Sequence, residues 1–280
     1  MKSVYKIPQK IKCLTDERKR KSIPLFNIVM PVLLFLMLQY ESFHTIFSAP
    51  ESMSKRLKNC LSRKKHTGET EYFYRSVVCM IIGKSTHVIL GQEMLKPRDG
   101  SGKDEGELTG GKRLIERLKK RHGHFADVIV ADALYLNAPF INTLKENGLE
   151  GCPYKLRVVR YHEQWEENGK ETERFMWLVT TLEAADYRVL WEMMHRRWDI
   201  EENGFHQLKT YYHAKHCYCR DAVETIFNLI IIGFNVRELY LYRRSRNFAG
   251  SGISRKSINR IFCDDLLTEK VKQILCEKGG

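Results

Sequence analysis

The stretch Arg197-Trp198-Asp199-Ile200-Glu201-Glu202-Asn203-Gly204-Phe205-His206-Gln207-Leu208-Lys209 decides how the rest of the chain is read. On a helix, Arg197 and Glu201 stand one turn apart on one face, so guanidinium and carboxylate can meet. A surface ion pair of that kind contributes well under about 1 kcal/mol. Trp198, Ile200, Phe205 and Leu208 crowd the same face, however, and imply partial burial. A partly buried acid needs a partner, and a metal ion serves as well as an arginine. Upstream, Val128-Ile129-Val130-Ala131-Asp132 puts another acid at the end of a short apolar run. Asp127 to Ala131 reads as a central parallel strand, and in open α/β sheets ligands gather at the carboxyl ends of strands. An aspartate there can equally well cap the turn that follows. Two carboxylates able to share divalent ions, beside basic residues able to hold phosphates, are what phosphodiester chemistry needs.

The bulk composition agrees with a nucleic-acid partner. With 280 residues, 43% hydrophobic and 29% charged, the chain is of ordinary globular type and can bury a full core. Its 47 Lys and Arg against 34 Asp and Glu give a net charge of +13, an excess that favours polyanions. An anionic membrane surface would satisfy the same charge. The eight cysteines are scattered without Cys-x-x-Cys, and no signal-peptide pattern opens the chain. Free thiols in a reducing cytoplasm follow. His213, His216, Cys217 and Cys219 resemble a zinc cluster but are too cramped for structural-zinc spacing.

Residues 1–70 read as a basic arm, an apolar helical segment and a polar basic stretch containing Arg63-Lys64-Lys65. The apolar part, Ile23 to Tyr40, approaches the length of a membrane span, but Pro24, Asn27, Pro31 and Gln39 favour a buried helix. From residue 71 the pattern changes. Tyr72 to Ile82 reads as a strand, Gly83-Lys84-Ser85 as a turn and Thr86 to Leu90 as the partner strand. Leu108, Leu114, Ile115 and Leu118 space as one helical face, ended by Gly123. Asn137 can cap the next helix and Gly148 can stop it. Leu156 to Tyr161 and Phe175 to Leu182 read as paired strands, with Asn168-Gly169 as a turn signal between them. A helical region follows from about residue 184, and a last helix opens at Asp221 with Glu224 as a capping box. Residues 71–250 thus form an α/β core with a β-insertion at about 150–183, and residues 251–280 a tail.

From Tyr72 to Arg244 the chain resembles the bacterial DDE transposases of the insertion-sequence 4 group. The matching features are Glu105-Gly106-Glu107-Leu108 leading into Lys112-Arg113-Leu114, then Asp132-Ala133-Leu134-Tyr135 with Pro139, and finally Arg197 to Glu201 with Phe205 and Leu208-Lys209. The resemblance implies an RNase H-like mixed sheet flanked by helices, with a β-rich insertion before the last catalytic helix. Three acids in such enzymes hold two Mg2+ or Mn2+ ions for cleavage and strand transfer at DNA ends. By match, Asp132 is the second acid and Glu201 the third, and both are metal ligands. Arg197 and Lys209 are the DNA-binding partners of the site. The resemblance also implies terminal inverted repeats and target DNA as partners, and a homodimer on the DNA.

The chain departs from the group's pattern in three places. Met194 stands where a tyrosine is expected, three residues before Arg197. Lys209 lies eight residues after Glu201 rather than seven, which a helical bulge near Asn203-Gly204 would absorb. The first acid has no candidate at a strand end: no aspartate lies between Asp16 and Asp99, and Glu41, Glu51, Glu69 and Glu71 are the acids available. Residues 45–60 read like a junction across a missing piece, as in an internally shortened copy. An inactive DNA-binding remnant competing with an intact transposase is the alternative. A metal nuclease of similar core and a membrane-attached basic protein are further readings.

Overall fold

The computed structural model describes residues 6–16, 23–38, 60–83, 86–97, 103–149, 156–215, 222–248, 252–253 and 255–266. Over these residues the chain is mixed α/β. In chain order the elements are α1 (Ile7–Lys12), α2 (Leu25–Leu38), β1 (Leu61–Lys64), β2 (Thr70–Phe73), β3 (Ser76–Met80) and β4 (Ile89–Met94). Then come α3 (Glu107–His122), a 3-10 turn (Ala133–Tyr135), α4 (Ala138–Glu146), β5 (Arg157–Glu167) and β6 (Lys170–Thr180). The last are α5 (Tyr187–Arg196), a π-helical segment (Ile200–His206), α6 (Gln207–Thr210), α7 (Val223–Phe248) and α8 (Arg255–Leu266). They fall into two compact units. One lies within Ser52–Lys84 and Ile89–His206, the other within Met1–Glu51, Ser85–Val88 and Gln207–Gly280.

In the first unit the β3–β4 pair carries α3 on one face. The helix buries Leu114, Ile115 and Leu118, three of the four positions read as its apolar face; full burial of each contributes roughly 1.5–3 kcal/mol. Gly91 allows the approach, because a Cβ there would lie 3.2 Å from Leu118 and 3.3 Å from Leu114. The expected partner strand stopped at Leu90, yet β4 runs on to Met94. Gly91 marks close packing of a helix on the strand, not a break in it. Likewise the single strand expected over Tyr72–Ile82 divides, with β2 pairing back to β1 and β3 pairing forward to β4. Gly123 ends α3 at φ 67°, as its position after the last apolar residue implied.

The expected strand Asp127–Ala131 does not form. Val128 is exposed, and Ile129 packs on a cluster of Ile115, Phe140 and Leu149. No neighbouring strand offers its backbone to this run among the described residues, where the strands make three separate antiparallel pairs. The following helix conforms to expectation. The Asn137 side chain accepts from the Phe140 N–H at 3.0 Å, and Gly148 takes φ 62° just beyond the end.

The β-insertion is an antiparallel hairpin of two 11-residue strands in continuous register from Arg157↔Thr180 to Glu167↔Lys170. Asn168 and Gly169 sit between them at φ 54° and 74°, the left-handed pair that a two-residue hairpin turn requires. Asp186 then caps α5 by accepting from the Arg188 N–H at 2.8 Å.

The second unit is helical. Ile7, Ile11, Leu33, Met37, Val236, Tyr240 and Phe262 form its core, drawn from α1, α2, α7 and α8. Gly233 lets α7 meet α2 closely, since a Cβ would stand 3.3 Å from that of Leu36. The described part of Ile23–Tyr40 is thus a packed helix with Pro31 inside it. No helix among the described residues is long and apolar enough to cross a membrane. The last long helix is seen from Val223, while Asp221 lies outside the described residues.

Candidate active site

Arg197 and Glu201 meet as their spacing implied. Arg197 Nη1 donates to Glu201 Oε1 at 3.1 Å, immediately after α5. Glu201 is the more open partner: its side chain is 51% exposed against 26% for Arg197. The expected enclosure therefore falls on the arginine, which also lies 5.8 Å from the Trp198 ring. Arg174 of β6 approaches the same ring at 5.6 Å. The helix widens into its π segment from Ile200, so the additional residue near Asn203-Gly204 is taken up as a bulge. Asp199 accepts from the Gly83 N–H at 3.3 Å and from Asn203 Nδ2 at 3.4 Å, which ties the start of the bulge to the end of the β3 hairpin.

Asp132 is exposed and caps the 3-10 turn, its carboxylate accepting from the Ala133 N–H at 2.5 Å. Tyr135 closes that turn and sends its hydroxyl to Glu107 Oε1 at 3.0 Å. Burial, then the charge of Glu107 and its hydrogen bond, and finally the charge of Asp132 raise the Tyr135 phenol well above the ordinary range. It therefore stays a proton donor. Asp132 and Glu201 belong to the same compact unit, whereas Lys209, exposed on α6, belongs to the other.

As donors, the two carboxylates suit Mg2+ or Mn2+, hard ions that take one or two carboxylates and complete their shell with water and phosphate oxygens. Both carboxylates are open to solvent. No group of three His, Cys, Asp or Glu side chains fit to hold a metal occurs among the described residues. Of the candidates for a first acid, Glu41 and Glu51 lie outside the described residues, Glu69 pairs with Lys65 at 3.9 Å, and the backbone of Glu71 is in register with that of Arg63 in the β1–β2 pair. His213 is described, and the three other members of the zinc-like cluster are not.

Sequence reasoning missed two ionic clusters. Glu105 is 5% exposed and bonds Arg113 through both oxygens, while the Lys96 N–H donates to it at 2.8 Å. Arg113 also reaches Glu93 at 3.0 Å, and Arg117 reaches Glu93 at 2.7 Å. These bonds clamp the loop before α3 to the end of β4. The second cluster centres on Glu163, which accepts from Arg174 at 2.7 Å, Trp191 Nε1 at 2.6 Å and His195 Nε2 at 3.0 Å. It fastens the hairpin to α5. Counting outward from Asn168-Gly169 sets Glu163 opposite Arg174, so this second cluster had a signal in the sequence.

No curated protein and no solved structure matches the chain. The family model for the transposase DDE domain matches residues 46–236, a span that takes in Asp132, Arg197, Glu201 and Lys209. That match covers more than half of the sequence, and the chain belongs to the transposase DDE domain family.

Proposed function

We propose that this chain binds DNA ends and carries out metal-dependent phosphodiester cleavage and strand transfer, as a cytoplasmic transposase of the insertion-sequence 4 group. Asp132 and Glu201 are its metal ligands, for Mg2+ or Mn2+, and Arg197 and Lys209 bind DNA phosphates. A bound ion of this type activates a water or 3′-hydroxyl and offsets charge on the leaving oxygen. The protein's own residues supply orientation. Arg197 has five N–H donors in a planar fork, and its bond to Glu201 fixes that fork while leaving further donors for a phosphate. The net charge of +13 draws in the polyanion.

The observation that carries this reading is the Arg197–Glu201 pair at 3.1 Å, which spans the entry into a π bulge within the family-matched span. We assign the core to residues 71–250, as an RNase H-like mixed sheet with its β-insertion at about 150–183. Residues 1–70 are the N-terminal arm and helix, and residues 251–280 the tail. The chain acts on terminal inverted repeats and target DNA as a homodimer. It is an internally shortened copy, and lacking an evident first acid it holds its metal weakly.

The test is strand cleavage of DNA ends in Mn2+, comparing the chain with Asp132→Asn and Glu201→Gln. Asparagine still caps the 3-10 turn and glutamine still bonds Arg197, so each change removes charge while sparing local structure. Cleavage lost in both variants supports the assignment. Cleavage unchanged in either one sinks it. Salt-sensitive DNA binding with no cleavage by the unaltered chain would mark a binding remnant instead.

A further inference from the structure

Tyr135 is fixed on three sides. Its backbone N–H donates to the Asp132 carbonyl at 3.0 Å, its hydroxyl donates to Glu107 at 3.0 Å, and its ring meets Phe140 edge-on with centroids 4.9 Å apart. Gly111 of α3 provides the seat. A Cβ at that position would stand 2.9 Å from Tyr135 Cε1 and 3.3 Å from Phe140 Cε2, so a side chain there would displace the ring. The turn that begins at Asp132 is thereby joined to α3 through the Tyr135 side chain.

An exposed aspartate on an irregular segment has free choice of rotamer and backbone position. A ligating carboxylate has to be held to within about 0.5 Å, by neighbours that are themselves held. Tyr135 supplies that restraint at the backbone of Asp132, and Glu107 and Gly111 supply it at Tyr135. This accounts for two parts of the sequence that otherwise lack a role: the second glutamate of Glu105-Gly106-Glu107, and the glycine Gly111 inside a helix.

Resting on the assignment of Asp132 as a metal ligand, we infer that Tyr135 is the positioning residue for that carboxylate, with Glu107 as its anchor and Gly111 as its seat. It touches neither metal nor DNA and acts through the turn that it closes.

The test is Mn2+ binding to the full chain, read from the free-ion signal in electron paramagnetic resonance, with thermal melting measured alongside. Asp132→Asn should abolish binding. Tyr135→Phe, which keeps the ring packed, should bind roughly tenfold more weakly, the size of effect typical of an outer-shell partner. Glu107→Ala should weaken binding equally, and Glu107→Gln, whose amide oxygen still accepts the hydroxyl, should bind like the unaltered chain. The melting temperature of Tyr135→Phe should move by less than about 4 °C. Mn2+ binding by Tyr135→Phe as strong as that of the unaltered chain, where Asp132→Asn has lost it, overturns the inference. So does a Glu107→Gln variant as weak as Glu107→Ala. Mn2+ binding that survives Asp132→Asn has a different meaning, because it removes the ligand assignment on which the inference rests.

Discussion

Arg113 holds Glu105 by two hydrogen bonds at a position where the glutamate side chain is 3% exposed. Glu105 is inside the protein, so breaking the pair leaves its charge without solvent. Arg113→Ala strands Glu105 and should cost about 3–5 kcal/mol, the usual range for orphaning one member of a buried pair. Glu105→Ala should cost less, because Arg113 keeps Glu93 and is more exposed. Urea denaturation monitored by circular dichroism checks the order: the midpoint should fall further for Arg113→Ala, with an unchanged slope. Equal midpoints would show that the pair is not what closes the loop onto β4.

The same pair should contribute to the acid limit of stability. The Arg113 hydrogen bond lowers the Glu105 carboxyl below the usual range despite its burial. Glu163 is also lowered: burial pushes it up, but the bonds from Arg174 and Trp191 and the charge of His195 outweigh that. Carboxyls lowered on folding contribute stability that is present above their unfolded value, ordinarily about 4.3. That contribution is lost as pH falls through the folded values. Melting temperature should therefore drop as pH falls below about 4.3, and the drop should be shallower in Glu105→Gln. A variant with the same acid limb as the unaltered chain would rule out Glu105 as its source.

Glu201 is far more exposed than Glu105, 51% against 3%, and at its pair with Arg197 function and stability should separate. Replacing Arg197 by alanine removes an exposed i,i+4 pair and a contact with Trp198, so the unfolding free energy should change by no more than about 1 kcal/mol. DNA cleavage should fall on the order of a hundredfold, the loss seen when a group aligning a reactant is removed. Arg197→Lys restores the charge but not the planar fork, and should recover little of that activity. Full recovery with lysine would reduce the role of Arg197 to that of a point charge.

What the sequence made legible divides along a physical line. Features written in neighbouring residues were readable: the Asn168-Gly169 turn, the Asn137 cap, the Gly123 stop, the Arg197–Glu201 spacing and the bulge after it. Features that depend on distant partners were not. The Val128–Val130 run looks like a strand because apolar β-branched residues favour one, yet a strand exists only where another strand offers hydrogen bonds. The Glu105–Arg113–Glu93 cluster joins three elements, and only the Glu105–Arg113 half lay within one quoted motif. Asp132 shows both sides of the division. Its cap on the following turn could be read locally, while whether its carboxylate shares an ion with Glu201 depends on tertiary geometry that no local pattern encodes.

The bulge itself can be tested through Gly204, which is buried within the π segment. A Cβ on Gly204 would lie 3.0 Å from Met80 Sδ and 3.4 Å from its methyl carbon, so Met80 must give way by a few tenths of an ångström. Alanine gains roughly 1 kcal/mol over glycine in a regular helix, which opposes that crowding. Gly204→Ala alone should therefore be slightly destabilising, by about 1 kcal/mol, because overpacking a buried site outweighs the propensity gain. Met80→Ala alone should cost about 2–5 kcal/mol for the cavity it leaves. Together the two should cost at least about 0.5 kcal/mol less than their sum, the signature of residues in contact. A double-mutant cycle by urea denaturation gives that coupling directly. Strict additivity would mean that Met80 does not pack on the bulge, and that the widened turn is held open by something other than β3.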